Sequence, residues 1–135
     1  MQPTFAVIVF YTNDNKILIQ NRKSINKYNS NWGLFGGHLK EDESDLVAVI
    51  RETKEELDIN IKEVELEYLG TVKTPAGQAY TSIFISQLKL DPDNINVLEG
   101  DGCELVSEDQ CSKLKLSTGD IFRTKLIFDF LKLKN

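Results

Sequence analysis

The chain has 135 residues, of which 41% are hydrophobic and 27% charged, and its formal net charge is -5. That length predicts one domain, residues 1–135, with a core of its own. The acidic balance argues against a general nucleic-acid binder, and no apolar run approaches the length of a membrane span. The opening segment MQPTFAVIVFYTND lacks the basic stretch and small-residue cleavage site of a signal peptide, so a cytoplasmic location is expected. Cys103 and Cys111 form no C-x-x-C pair, and the single histidine, His38, is distant in sequence; two reduced thiols are expected.

In chain order, Thr4 to Tyr11 is β-branched and aromatic and predicts a mostly buried strand. Thr12 to Asn15 is turn chemistry, and Lys16 to Gln20 is a second strand, so the two are expected to form a hairpin. Arg22 and Lys23 follow. Ser24 to Asn31 is a polar loop whose basic residues, Lys27 included, are candidates for phosphate oxygens, with a solvated surface loop as the plainer reading. The stretch Trp32 to Gly37 is aromatic and glycine-rich, which suits close approach of backbone to a ligand.

Ser44 is an N-cap for a helix ending near Leu57, with Asp45 favourable in its first turn. Leu46, Val49, Ile50, Thr53 and Leu57 form its inward stripe, and Glu52, Glu55 and Glu56 lie off it toward one flank. Val64 to Val72 and Ala79 to Leu90 predict an antiparallel strand pair joined by a turn at 74–77. Asp91 to Glu104 is a long loop of the kind that carries function. A short strand at Glu104 to Val106, a short helix capped by Ser107, and a terminal helix from Thr118 or Gly119 to about Lys132 complete the chain. The last has Ile121, Leu126, Ile127, Phe130 and Leu131 on its apolar side. Strands on both sides of one long helix, followed by a C-terminal helix, fit an α/β protein with a mixed sheet between helices.

The chemistry concentrates in Gly36 to Ile59. Helical spacing puts Glu52, Glu55 and Glu56 on one face, where they repel each other unless something positive intervenes. Oxygen-only donors suit Mg²⁺ or Mn²⁺. The bland alternative is a solvated acidic helix face.

Gly37, Glu43, Arg51-Glu52, Thr53, Glu55-Glu56, Asp58 and Ile59 fall at the spacing G-x5-E-x7-R-E-U-x-E-E-x-G-U, U being aliphatic. This resembles the Nudix box of MutT-like hydrolases, with departures at Thr53 and Asp58. An upstream W-x-x-x-G-G and the downstream Glu99-Gly100 extend the likeness over most of the chain. The resemblance implies a Nudix-like α/β/α sandwich and hydrolysis of a nucleoside diphosphate linked to another group. Nucleotide binding and a divalent cation, Mg²⁺ or Mn²⁺, are implied with it.

By the same resemblance Glu52, Glu55 and Glu56 are metal ligands and catalytic, with the Gly37 carbonyl as a further ligand. Glu99 acts on the metal or on the attacking water, with Asp101 and Glu104 as competitors in its loop and the box glutamate Glu52 as the alternative base. Arg51 is structural, bridging Glu43 and Glu55. Arg22 matches a phosphate-contacting arginine. Phe35, where the family has proline, either stacks on a base or fills core; Trp32, Tyr28, Tyr80 and Phe84 raise the same question. His38 is expected at the surface.

A nucleoside triphosphate, oxidised or not, is the first substrate expected, and a nucleotide-sugar or ADP-ribose diphosphatase is the alternative. An isopentenyl-diphosphate-isomerase-like enzyme would need an early catalytic cysteine, and both cysteines here are late. A non-catalytic ligand-sensing domain would tolerate loss of box carboxylates, which this chain keeps. The partner expected is a small nucleotide, with no membrane or general nucleic-acid partner, and the protein a monomer or homodimer. Thr53 needs a partner for its hydroxyl, and Asp58 falls where a left-handed turn must end the helix, at some cost in stability against glycine.

Overall fold

A computed structural model describes residues 2–25, 30–74, 77 and 79–134. The strands are β1 (Pro3–Tyr11), β2 (Ile17–Asn21), β3 (Trp32–Gly33), β4 (Phe35–His38), β5 (Glu67–Lys73), β6 (Tyr80–Gln87) and β7 (Cys103–Val106); the helices are α1 (Asp45–Leu57), α2 (Glu108–Ser112) and α3 (Thr118–Lys134). The sheet runs β3-β2-β1-β6-β5, with β4 paired to β1 and β7 to β2. β1 runs parallel to β6 and antiparallel to β4, so the sheet is mixed.

The alternation along β1 explains why both faces of the sheet are covered. Ala6, Ile8 and Phe10 point to one side, where they meet Ala48, Val49 and Leu57 of α1. Val7 and Val9 point to the other, where they share a core with Ile127, Phe128 and Leu131 of α3. Period-two side chains on a strand buried on both faces read as one continuous apolar run, as here. The result is the sandwich expected, with α1 on one face and α2 and α3 on the other. Among the described residues no helix is long and apolar enough to cross a membrane.

Three local expectations need correction. β1 and β2 are joined by the predicted turn, closed by Thr12 N donating to Lys16 O, but they pair only at Tyr11 and Ile17. β1 already has β4 and β6 as neighbours, and β2 pairs instead with β7 over four positions, from Ile17 with Val106 to Gln20 with Cys103. The strand expected from Val64 begins at Glu67, because Glu63–Glu65 closes as a turn of 3₁₀ helix. Ile121 is exposed; the inward line of α3 is Asp120, Thr124, Ile127, Phe128 and Leu131, an acid having taken the inward position. Glu56, on the flank of α1 beside its inward stripe, is among the buried residues of the helix. The expected turn at 74–77 falls partly outside the described residues, as do Lys27 and Tyr28.

Candidate active site

Ser44 Oγ accepts from Val47 N and starts α1, as its sequence predicts. Asp58, at φ 54 and ψ 37, ends it in the left-handed conformation, its N–H donating to Lys54 O. Thr53 is fully buried and gives its hydroxyl to Val49 O at 2.6 Å, which satisfies it inside the stripe. Between these ends the box divides into two parts.

The first part is a guanidinium clamp. Arg51 Nε donates to Glu43 Oε2 at 2.7 Å and Nη2 to Glu43 Oε1 at 2.8 Å, a two-pronged pair. Nη2 also reaches His38 O, and Nη1 reaches Glu52 Oε1 at 2.8 Å and Glu55 Oε2 at 3.1 Å. Those hydrogen bonds, with one from Lys40 N, hold the Glu43 carboxyl down at about 2, and they push Arg51 up. Arg51 thus ties the loop before α1 to the acids of its last turns. Beyond the expected Glu43 and Glu55, it also grips Glu52.

The second part is the acidic face. Glu52 packs directly over Gly37: a Cβ there would stand 2.3 Å from Glu52 Oε1, so only glycine lets strand and carboxylate approach this closely. Glu56 is 3% exposed, and its Oε1 accepts from Gly36 N at 2.9 Å. Burial, followed by the charges of Glu99 and Glu52, raises its pKa to about 8, against the opposing pull of Gly36 N–H and Arg22. Glu55 is largely exposed. Glu99 reaches the site from the loop before β7; Leu98 N donates to Glu56 O, and Gln20 Nε2 to Glu99 O. Asp101 is turned away, its carboxylate accepting from Ser24 N, and Glu104 lies in β7.

Two candidate substrate contacts are held by the protein itself. Arg22 donates through Nε to Gln20 Oε1 and through Nη2 to Leu34 O, and Nη1 stands 4.0 Å from Asp120. Its guanidinium is engaged by these three groups within the protein. Phe35 is 1% exposed and packs in the core beneath α1, so it does not offer a face to a base. Trp32 and Phe84 are buried as well, Tyr80 is half-buried, and His38 is exposed with its ring edge-on to Phe5.

Gln20 and Asp120, both buried, were not singled out by sequence reasoning. Asp120 accepts from Leu34 N and Arg123 Nη1. The available signal was a polar residue at the end of an apolar strand and an acid on the inward line of a helix. Two cavities of about 220 Å³ lie elsewhere, one between α2 and α3 beside Cys111 and Phe128, the other near Ile61 and Leu88.

A NUDIX domain model matches residues 2–127. The chain belongs to the NUDIX family. The clamp and acidic face span its Nudix box. Solved Nudix structures share its fold at low identity. The NUDIX domain of Shewanella oneidensis NrtR, complexed with ADP ribose, is 19% identical with a TM-score of 0.73, over 97% of this chain and 89% of that one. The E. coli dihydroneopterin triphosphate pyrophosphohydrolase is 19% identical with a TM-score of 0.71, over 97% and 98%. The bifunctional NMN adenylyltransferase/ADP ribose pyrophosphatase of Francisella tularensis, complexed with AMP and a Mn ion, is 20% identical with a TM-score of 0.69. The match covers 97% of this chain and 43% of that one.

Among the described residues no three His, Cys, Asp or Glu side chains are gathered as a ready-made metal group. Arg51 holds Glu52 and Glu55, and Gly36 holds Glu56. The donor set nevertheless fits a hard divalent cation: it is all oxygen, and Glu56 sits at a raised pKa against two other carboxylates.

Proposed function

We propose that this Nudix hydrolase is divalent-metal-dependent and cleaves a phosphoanhydride bond of a nucleoside diphosphate linked to a further group, with a nucleoside triphosphate, oxidised or not, as its substrate. The observation that carries the reading is the buried Glu56 carboxyl, facing Glu99 and Glu52 with one N–H for company. A cation relieves that repulsion.

Glu52, Glu55, Glu56, Glu99 and the Gly37 carbonyl are the residues proposed to hold Mg²⁺ or Mn²⁺. When bound, such an ion offsets phosphate charge and lowers the pKa of water. Arg22 and Arg51, the arginines bordering the site, are both engaged by the protein itself, which leaves phosphate charge for the cation to meet. Glu99, on a loop, is the residue proposed to handle the attacking water, with the helix carboxylates as the rigid side of the site. An isomerase chemistry is disfavoured because burial pushes both thiols, Cys103 and Cys111, above the usual range.

The test is a panel of nucleoside triphosphates, nucleotide sugars, ADP-ribose and dinucleoside polyphosphates incubated with Mg²⁺ and followed by ³¹P NMR. Monophosphate plus pyrophosphate from a triphosphate is the expected product pair. Turnover of ADP-ribose or a nucleotide sugar alone would transfer the assignment to that class. Full activity in chelator would overturn the metal dependence. Isotopically labelled water identifies the phosphorus attacked.

A further inference from the structure

Glu99 arrives on a loop, yet its position opposite Glu56 is held by connections at both ends. Leu98 N donates to Glu56 O at 2.8 Å, Asp101 N to Asn21 O at 2.8 Å, and Asn21 N to Gly102 O at 2.9 Å. Between these anchors, Glu99 O accepts from Gln20 Nε2 at 2.8 Å. Gln20 is 1% exposed, the last core residue of a strand otherwise apolar on both faces.

A buried carboxamide is costly unless both ends are matched. Here they are: Oε1 accepts from Arg22 Nε at 2.6 Å, and Arg22 goes on to Leu34 O, two residues before the Gly36 N–H that binds Glu56. The partners fix the amide's direction. Reversed, its NH₂ would face the Arg22 N–H and its oxygen the Glu99 carbonyl, setting like against like. Gly100 has a related reason to be glycine. Its φ is +90, and a Cβ there would stand 2.6 Å from Asn21 O and 3.1 Å from Gln20 Nε2. The Glu99-Gly100 pair is therefore shaped to seat on the Gln20 side chain.

We infer that Gln20 is a positioning residue: its buried carboxamide, locked by Arg22, sets the backbone of Glu99 so that the Glu99 carboxylate faces Glu56 across the site. The inference rests on the proposed role of Glu99 in the metal site. It carries that role one step inward, to a side chain touching neither metal nor substrate.

The experiment measures Mn²⁺ binding by electron paramagnetic resonance of the free ion, together with kcat and KM, on the whole chain. Gln20→Met keeps volume and removes both hydrogen-bonding ends; Glu99→Gln, the double variant and Gly100→Ala complete the set, with thermal melts as folding controls. Gln20→Met is expected to weaken Mn²⁺ binding about tenfold and to lower kcat more than it changes KM. Glu99→Gln should do the same, and the double variant no more than Glu99→Gln alone, since residues acting through one group are not additive. Gly100→Ala, which acts on the same loop without altering Gln20, should share the signature and decides the matter if Gln20→Met does not fold.

Folded Gln20→Met or Gly100→Ala with unchanged Mn²⁺ affinity and kcat, beside a weakened Glu99→Gln, would overturn the inference and leave the Glu99 assignment standing. Additive losses in the double variant would overturn it equally. A Glu99→Gln variant without effect on Mn²⁺ binding or kcat would bring down the assignment and the inference together.

Discussion

Glu43 and Glu56 belong to one motif and are both scarcely exposed, Glu43 with 9% of its side-chain surface accessible and Glu56 at 3% as a residue. Their pKa values are nonetheless driven apart, to about 2 and about 8. Burial is the first cause of the rise at Glu56, and the Arg51 guanidinium is the first cause of the fall at Glu43. Glu43 receives two guanidinium N–H groups and the Lys40 N–H. Glu56 receives one backbone N–H and looks onto Glu99 and Glu52. The clamp end of the Nudix box is paired within the chain, while the Glu56 end is where the proposed cation would add positive charge.

The sharpest way to break that contrast is Glu56→Gln. Its oxygen still accepts from Gly36 N, but it carries no charge for a cation. Loss of kcat/KM on the order of 10³ is expected, while the metal-free protein becomes more heat-stable at alkaline pH because a desolvated charge has gone. Retention of activity would sink the proposed metal face. A loss of activity with lowered alkaline stability would instead make Glu56 a structural carboxylate.

At the clamp the expected loss is smaller. Arg51→Lys keeps the charge but not the two-pronged geometry, so Glu43 and Glu52 are no longer held at once. A fall of about 10- to 100-fold in activity and in Mn²⁺ affinity is the expectation for a residue that orients ligands. The opposite sign is informative. If Arg51→Lys bound Mn²⁺ more tightly and kept its turnover, the arginine would be a competitor of the metal and not its positioner.

The two shifts also give the metal-free protein opposite pH limbs. A carboxyl raised from 4.5 to about 8 contributes stability that is fully present below 4.5 and lost as pH rises through about 8. A carboxyl lowered from 4.5 to about 2 contributes stability present above 4.5 and lost as pH falls through about 2. Thermal melts in chelator should therefore show midpoints declining at both ends. Glu56→Gln should flatten the alkaline limb and Glu43→Gln the acid one, and added Mg²⁺ should remove the alkaline limb in the unsubstituted protein. A limb unaffected by its own variant would detach the shift from that residue.

The contrast also marks what sequence could reveal. Spacing along one helix is local, so the box, the Ser44 cap, the Thr53 hydroxyl bond and the left-handed Asp58 were all legible in the chain. β1 was legible because a strand buried on both faces leaves an unbroken apolar run. What stayed hidden was long-range. The partners of Arg22 were hidden because nothing in the sequence tells that Gln20, Leu34 and Asp120 converge on it, and the last lies almost a hundred residues away. The depth of burial of Glu56 was hidden as well, because charge predicts exposure on average.

Asp58 offers the smallest effect and a test of how the two halves of the site communicate. Glycine would remove the left-handed strain, but Asp58 also bonds to Lys54 and Asn96, contacts that glycine gives up. These oppose each other, so Asp58→Gly should move the melting midpoint by no more than a few degrees, roughly the scale of one modest interaction in a domain of this size. Asp58→Asn separates the terms, since asparagine tolerates the left-handed region yet drops the charge. Turnover should remain unchanged in both, because the metal-face acids lie before the cap. The exception that would matter runs through the backbone: Glu56 O accepts from Leu98 N. A glycine that loosened the helix end would then be felt first at Glu99, as a fall in kcat with an unaltered midpoint.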